Sequence, residues 1–383
     1  VIPAAPSDGG MRAWLTIFGA WLVQFCTYGT VASFGVYQDF YTREFLVNST
    51  ASDISWIGSL QLALQYLPGF FVGRGFDSGY FHHMSILGSG LYTFSIFMLS
   101  LVNRGQYYQV FLAQGIGMGL GQGLTFLPSL AIISHHFRRR RALATGIAVT
   151  GASAGGVIFP IMLNRLFHSS VGFADGVRAS AGLVGGLLLA ANILMRTTVS
   201  RKHAVRFELH EIRSILSDWV FMWALAGAFA VSLGLFFPYF YFQLWSIEHG
   251  IDAQLAFYTL AIINAGTIAG RLLPTFLADH IGVFNMIIPA VFLSAVFVFA
   301  TFGATTATSI IIVSLLYGFT SGAYVSLIPP MLSQITPNLT ELGTRMGFAF
   351  SVVGLAMLSG APILGALLGR MFAWWRPTVF SGV

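Results

Sequence analysis

One charged side chain, Arg271, stands well inside a long apolar run, the segment 253–278. An arginine guanidinium does not lose its proton, so in apolar surroundings it requires an anionic or carbonyl partner. Two interpretations stay open at this point. In the first, Arg271 binds a carboxylate, an enolate or another electron-rich group of a small molecule. In the second, it pairs with helix-end carbonyls or with Asp279, about two turns further on, as part of a gate.

Uncharged polar and aromatic side chains accompany this arginine at similar depth. Asn264 lies seven residues before Arg271 and shares its helix face. An unsatisfied amide there would be costly, so Asn264 requires a partner. We interpret it as lining a cavity, with bonding between helices as the alternative. The other residues of this kind are Gln24, Tyr28, Gln61, Gln65, Gln122, Tyr239, Tyr241, Tyr317 and Tyr324. Singly, each is as well suited to bridging helices; together they predict a neutral, aromatic-rich cavity with one fixed cation, which suits an amphipathic organic anion or a polar aromatic compound.

The acidic residues and histidines lie elsewhere. All 13 acids and all 9 histidines fall in loops or near the ends of the apolar runs. The interior therefore offers no built-in proton carrier, although Asp39 and Glu44, at the outer end of the first run, are kept as candidates for proton coupling. With Cys26 as the single cysteine and no nucleophile–base pair or metal cluster in the sequence, we predict no enzyme, no cofactor and no metal site.

The elements that position these residues follow from composition. Of 383 residues, 56% are hydrophobic and only 8% are charged, with a mean hydropathy of +0.78. A soluble domain carries about 25% charged residues, so most of this surface must face lipid. Apolar runs long enough to cross a core of about 30 Å lie at about 13–37, 54–74, 84–103, 108–134, 142–165, 177–196, 218–245, 253–278, 283–303, 307–332 and 346–369. Because the sequence stops at Val383, a twelfth helix is expected to be incomplete.

Basic residues predict the orientation of the bundle. With the N-terminus in the cytoplasm, twelve of the 19 Lys and Arg residues lie on the cytoplasmic side, as the positive-inside rule requires. The run HHFRRRR, from His135 to Arg141, is interpreted as an anchor at the anionic inner leaflet and not as a nucleic-acid site. We expect an integral membrane protein, in the plasma membrane.

An internal repeat relates the two parts of the chain. Gly117, Gly121 and Pro128 recur as Gly318, Gly322 and Pro329, each 201 residues later; Asp77 recurs as Asp279 and Arg141 as Arg345. Six helices per repeat give both halves the same orientation. We predict a helix bundle at 1–196, a cytoplasmic linker at 197–217 and a second bundle at 218–383, with Asp77, Arg141, Asp279 and Arg345 as gating residues.

Three stretches carry a resemblance to a known family. Residues 8–14 contain DGG followed by AW, residues 135–156 read HHFRRRRALATGIAVTGASAGG, and residues 264–279 run from NA through GR to LAD. These resemble the monocarboxylate-porter branch of the major facilitator superfamily, in its fungal form. The resemblance implies the all-helical major facilitator fold with two parallel six-helix repeats, and a carrier of small metabolites.

The sequence departs from that family at charged positions. Animal lactate carriers of the family have a lysine in helix one, where this chain has Ala32, and an aspartate four residues before the arginine, where it has Thr267. Ser78 replaces the usual basic residue after Asp77. These departures argue against lactate–proton symport of the usual kind.

The combined pattern predicts a secondary active transporter that works by alternating access. The aromatic cavity favours efflux of a hydrophobic, acidic secondary metabolite, with a small organic anion as substrate and protons as an open second partner. The alternatives are a monocarboxylate or vitamin importer, by uniport or proton symport, and a substrate receptor that does not transport.

Overall fold

The computed structural model describes residues 8–197, 209–369 and 372–383, and within these ranges all regular structure is helical. The helices are α1 Met11–Phe45, α2 Ala51–Tyr66 continued by Gly69–Asp77, α3 Phe81–Leu99, α4 Tyr107–His136, α5 Arg141–Phe167, α6 Gly172–Leu194, α7 Trp219–Glu248, α8 Ala253–Ile281, α9 Val283–Gly303, α10 Ala307–Ile335, α11 Leu342–Leu368 and α12 Trp375–Gly382. A short helix, Leu209–Ser217, precedes α7. The expected all-helical membrane fold is confirmed.

The helix bounds differ from the apolar runs in two places. Among the described residues, nine helices are individually long and apolar enough to span a bilayer. They do not include α3, which matches the expected run 84–103, or the short α12. They also do not include α2, which is broken near Pro68 into helices of 16 and 9 residues, because proline lacks the amide that the helix needs. Helix α1 runs past its expected end near residue 37 and finishes in a π-helical turn, Tyr41–Phe45. Most of the predicted linker, 198–208, lies outside the described residues.

Several helices begin at side chains that satisfy their free amides. Thr50 and Asp53 form a reciprocal capping box at the start of α2, and Thr306 opens α10 in the same way with Ser309. Asp218 caps α7 by accepting a 3.1 Å bond from the amide of Phe221. Thr50, Asp53 and Thr306 lie between the apolar runs of the sequence, and Asp218 begins one.

Small residues let the long helices approach one another closely, as is usual in membranes. Helix α1 packs on α5, where a Cβ added at Gly29 would lie 2.7 Å from the Cα of Gly155. Helix α8 packs on α10 in the same way: at Gly270 and Gly318 an added Cβ would collide with backbone of the facing helix. The glycines of the repeat are thus contact points between helices.

The chain before the linker and the chain after it meet along two helix pairs, α5 with α8 and α2 with α11. In each pair, the second helix of one part lies against the fifth helix of the other. This arrangement is expected when two six-helix repeats have the same orientation in the membrane. The candidate residues lie on and between these two pairs.

Candidate functional site

A small cavity lies between the two parts of the chain, at the level of Arg271. Its volume is about 30 Å³, enough for a water molecule and far below the roughly 300 Å³ of a typical ligand pocket. The cavity is lined by Gln24, Tyr28, Tyr66, Phe126, Leu130, Val149, Ala152, Ser232, Leu235, Arg271, Tyr324, Val325, Ile328, Pro329, Phe350, Val353 and Met357. In this conformation the site is therefore contracted around a mostly apolar lining.

Arg271 supplies the charge of this cavity. Its side chain is 3% exposed, and Nη1 donates a hydrogen bond to the backbone carbonyl of Val149 on α5. Nε is buried with no hydrogen-bond partner among the described residues, and none of the ion pairs found there includes Arg271. The phenol groups of Tyr28, Tyr66 and Tyr239 are its electrostatic neighbours. The guanidinium is thus held by a carbonyl in the middle of a helix, and Arg271 borders the cavity with one buried donor, Nε, unbonded among the described residues.

Three other candidates from the sequence share the cavity lining with Arg271: Gln24, Tyr28 and Tyr324. The Gln24 amide donates a 3.0 Å bond to Ser129, but its carbonyl oxygen is buried and unbonded among the described residues. The hydroxyl of Tyr324 donates to the carbonyl of Ala228 at 3.4 Å. A polar ligand could therefore find an amide oxygen and phenols beside the guanidinium.

Tyr239 lies next to this group without lining the cavity itself. Its hydroxyl is 3.1 Å from that of Ser321, and its ring packs edge-on against Tyr317, with 6.0 Å between the ring centres. Its phenol is near enough to interact with Arg271. Helices α7 and α10 thus extend the aromatic surroundings of the cavity.

Three further candidates do not line the cavity in this conformation: Asn264, Gln65 and Gln122, the last of which is described in the next paragraph. Asn264 donates a 3.0 Å bond to the carbonyl of Leu260 on its own helix, and its amide faces Gly156 on α5. Gln65 is 1% exposed, and neither of its amide atoms has a partner among the described residues. Of the seven candidate residues beside Arg271, these three and Tyr239 do not line the contracted cavity.

Gln122 belongs to a hydrogen-bonded network that ties four helices together. It donates to the carbonyl of Thr27 at 3.2 Å and to the hydroxyl of Thr30 at 2.9 Å, and it accepts from Gln61 at 3.3 Å. Tyr92, on α3, closes the network by hydrogen bonding to Thr30. The network joins α1, α2, α3 and α4, so in this conformation Gln122 bridges helices.

A series of contacts closes α5 against α8 from the basic end of α5 to the level of the cavity. Asp279 accepts two 2.9 Å bonds, from the amides of Ala142 and Leu143 at the start of α5. The bond from Arg271 to Val149 comes next, and Ser153 then hydrogen bonds to Thr267 at 2.6 Å. Asp279 is thus occupied with the N-terminus of α5 and is not the partner of Arg271.

The second pair, α2 with α11, has the same design. Asp77 accepts 2.9 and 2.6 Å bonds from the amides of Gly343 and Thr344, and a 2.7 Å bond from the Thr344 hydroxyl. Further along, Ser351 accepts from the amide of Phe70 at 3.0 Å and donates to the carbonyl of Leu67 at 2.9 Å. Each carboxylate therefore caps a helix of the other part of the chain, where the helix dipole favours negative charge.

The two arginines predicted as gating residues lie beside these caps. Arg345 is 3% exposed, forms a 2.6 Å ion pair with Asp218, and stands over the ring of Phe221 at 5.4 Å. The hydrogen bond from Arg345 holds the pKa of Asp218 below its ordinary value. Arg141 donates to the carbonyl of Phe137 at 3.2 Å. Among the described residues, the bonds of both arginines stay within their own part of the chain, so the carboxylates make the cross-connections.

The sequence reasoning missed two aspartates and two cavity residues. Asp8 accepts 2.5 and 2.7 Å bonds from the amides of Arg138 and Arg139, and Asp218 pairs with Arg345. Both precede the first helix of a repeat, a correspondence that could have revealed them. Tyr66 and the carbonyl of Val149 had no such signal, because only the packing of helices brings them to Arg271.

Comparison with known proteins gives the family and the relatives. Residues 20–302 match the model of the Major Facilitator Superfamily. The chain is 38% identical to the aspyridones efflux protein of Emericella nidulans, over 99% of this chain and 77% of that protein. It is 37% identical to the agnestins efflux protein of Paecilomyces divaricatus, over 97% and 84% of the two chains.

Solved structures share the fold at low sequence identity. A human organic anion transporter superposes with a TM-score of 0.77 over 98% of each chain, at 14% identity. The fucose:proton symporter of Escherichia coli superposes with a TM-score of 0.74 over 97% of this chain and 95% of its own, also at 14% identity. At this identity, the likeness establishes the fold.

Proposed function

The chain belongs to the Major Facilitator Superfamily, as an integral membrane transporter, and on that premise we propose that it exports a hydrophobic, acidic secondary metabolite by alternating access. The observation that carries the proposal is the buried guanidinium of Arg271, which borders the cavity between the two parts of the chain without a carboxylate partner among the described residues. A buried cation of this kind favours an anionic ligand.

The chemistry of the lining supports an acidic compound with an apolar body. Besides Arg271, the polar groups that face the cavity are uncharged, among them Gln24, Tyr28 and Tyr324, while the remaining lining is dominated by aliphatic and aromatic side chains. Such a surface stabilises a ligand that presents one anionic group and a large hydrophobic remainder. A carboxylate or an enolate meets this description.

The direction of transport is proposed from the relatives. The two relatives described above bear names that state efflux, of the aspyridones and of the agnestins, and the chain covers most of the length of both. Coverage of 77% and 84% of these proteins at 38% and 37% identity supports a similar role, while the named compounds belong to those proteins. For this chain we propose only the class, an acidic secondary metabolite.

The bond between Arg271 and Val149 supports the mechanism that we propose. While α5 and α8 are closed, the Val149 carbonyl occupies the guanidinium and the cavity holds about 30 Å³. When the helices separate on the cytoplasmic side, Arg271 loses this carbonyl and gains an anionic group of the substrate in exchange. Closing the helices restores the carbonyl bond and contracts the site, which releases the substrate to the other side.

The finer assignments belong to the same proposal. We place the chain in the monocarboxylate-porter-like branch on the three stretches given above, with a cytoplasmic N-terminus, in the plasma membrane. The two bundles, 1–196 and 218–383, move against each other about the pairs α2–α11 and α5–α8. Because the sequence places no acid at the depth of the cavity, we propose that any coupled proton travels on the acid group of the substrate.

Transport by purified protein in proteoliposomes tests the substrate class. The probes are aromatic carboxylic and enolic acids of polyketide type, each with its neutral methyl ester. We expect transport of one or more acids, at least tenfold slower transport of the ester, and a similar loss in Arg271→Ala, with partial recovery in Arg271→Lys. The control, Arg178→Gln, removes an exposed arginine that pairs with Asp175 at 2.7 Å and should stay within about twofold of wild type.

The direction is read from inside-out membrane vesicles, which accumulate a compound that the cell would export. If the compound accumulated in right-side-out vesicles and not in inside-out vesicles, the protein would be an importer instead. Undiminished transport of the acid by Arg271→Ala, or equal transport of acid and ester, would remove Arg271 from the substrate site.

A further inference from the structure

A second cavity lies at the basic end of the α5–α8 pair, well away from Arg271. Its volume is about 390 Å³, and its lining consists of Arg139, Arg140, Leu143, Phe276, Asp279 and His280. Residues 139–143 lead into α5, whereas the other three come from the last turns of α8. The cavity thus spans the junction between the two parts of the chain that the cap by Asp279 holds closed.

The charges of this cavity are suited to an anion. Arg139 and Arg140 are exposed, and neither takes part in the ion pairs found among the described residues. The one acid in the lining, Asp279, has each carboxylate oxygen bonded at 2.9 Å to an amide of α5. The nearby Asp8 is likewise bonded to two backbone amides. The lining itself thus holds two guanidiniums and one carboxylate, and the oxygens of that carboxylate already accept bonds from the start of α5. Asp8, outside the lining, interacts electrostatically with Arg139.

The other wall of the cavity is apolar and continues toward the middle of the membrane. Phe276 is 46% exposed, and Leu273, one turn further into the span on the same face of α8, is 57% exposed. On α5, Leu143 and Ile147 lie four residues apart on one face and are partly exposed. An apolar strip beside two cations, at the end of a transmembrane helix, matches the acyl chain and the headgroup of a phospholipid.

We propose that this cavity is a binding site for one anionic phospholipid of the inner leaflet. The phosphate and any carboxylate of the headgroup lie between Arg139 and Arg140, which can bind oxyanions with paired N–H donors. The acyl chains lie along Leu143 and Phe276. Because the lipid contacts both α5 and α8, it stabilises the conformation in which these two helices are closed. The site is distinct from the cavity at Arg271 and does not depend on the substrate proposed above.

Native mass spectrometry of the whole chain tests the site directly. The protein is released from nanodiscs of phosphatidylcholine that contain phosphatidylserine as the probe. We expect one retained phosphatidylserine per molecule of wild type. Each guanidinium near an anionic lipid contributes about fivefold to affinity, so Arg139→Gln with Arg140→Gln should weaken binding about thirtyfold. Retention should return in the double variant Arg139→Lys with Arg140→Lys, which keeps the charge.

The matched control is the double variant Arg12→Gln with Arg138→Gln. It removes the same charge from exposed residues on the same side of the bundle that do not line the cavity. We expect phosphatidylserine to raise the melting temperature of wild type, because it stabilises the closed conformation. The control should retain the lipid and should show the same rise in melting temperature. If both double glutamine variants lost phosphatidylserine to the same extent, only the overall surface charge would matter, and the proposal would be overturned.

Free phosphate distinguishes a lipid site from a simple anion site. In nanodiscs of phosphatidylcholine alone, millimolar inorganic phosphate should leave the melting temperature unchanged, because it makes no use of the apolar wall. If phosphate reproduces the full effect of phosphatidylserine, the cavity binds soluble anions and the lipid assignment is wrong. None of these measurements involves transport, so they can fail while the proposed export function stands, and the reverse also holds.

Discussion

Replacing Asp77 by asparagine should shift the protein toward a conformation that is open on the side of this residue. Asp77 accepts three hydrogen bonds from Gly343 and Thr344, across the boundary between the two parts of the chain. Asparagine keeps one acceptor oxygen, which can still accept both bonds from Thr344, and it presents an NH₂ group to the amide of Gly343. The variant therefore loses the bond from Gly343, places two donors against each other there, and removes the negative charge at the N-terminus of α11.

The size of the effect follows from those losses. A hydrogen bond to a charged group contributes about 1.5–3 kcal/mol, and a helix cap typically about 1 kcal/mol. In the open conformation water solvates the carboxylate, which offsets part of the first figure. We therefore expect a net loss of about 2 kcal/mol from the closed state, which is about a thirtyfold rise in the ratio of open to closed molecules.

Double electron–electron resonance measures this ratio. Spin labels on His83→Cys and Asn285→Cys report the separation of the two parts, because these exposed residues lie at the starts of α3 and α9. The native Cys26 is fully buried and should not take up label. The population at long distance should grow in Asp77→Asn.

The matched control is Asp53→Asn. Asp53 is also a carboxylate at a helix N-terminus, but it forms a capping box with Thr50 at the start of its own helix. Among the described residues its carboxylate accepts no bond from a second helix; the bond from Tyr107 on α4 goes to its backbone carbonyl, which asparagine keeps. Its variant should keep the wild-type distances. An unchanged distribution in Asp77→Asn, or equal shifts in both variants, would refute the view that the cross-connection holds the gate closed.

Three further variants test packing and charge. Gly73→Ala should favour the open state by about 1–3 kcal/mol, because its Cβ would collide with a carbonyl of α11, whereas Gly90→Ala, which meets open space, should have no effect in the same resonance experiment. Arg345→Gln should lower the free energy of unfolding by about 2 kcal/mol in thermal melts, because it breaks a largely buried pair. The pKa of Asp218 is lowered from its ordinary value of 3.8, so the ion pair stabilises the protein fully above pH 3.8, and this stabilisation is lost as the pH falls through the lowered pKa. Wild type should therefore lose its advantage in stability over Arg345→Gln on acidification. A constant difference in stability between the two proteins would contradict the assignment. Gln122→Leu, which removes three interhelical bonds, should cost about 2 kcal/mol of stability and leave transport per folded molecule unchanged, and a selective loss of transport would instead place Gln122 in the substrate site.

The sequence alone predicted the class of fold and its main charged residue. Hydrophobic runs at the length of a bilayer predict helices because an unpaired backbone amide in lipid is too costly. The same cost singles out Arg271, since a permanent charge in such a run requires a partner. The repeat that pairs Asp77 with Asp279 was also visible, because two copies of one bundle keep their connecting residues at nearly constant spacing.

Only the tertiary structure decided which groups those residues meet. Arg271 bonds to a backbone carbonyl, and no pattern of side chains can point to one particular carbonyl on another helix. Gln122 and Asn264 share the depth of Arg271, yet they lie between helices here, because depth along a helix is periodic in sequence while the neighbour on each face is set by packing. Asp77 and Asp279 were predicted as gating residues, and the structure shows them capping helices of the other part of the chain. The sequence could not show this, since the free amides at a helix start become partners only when the helices are brought together.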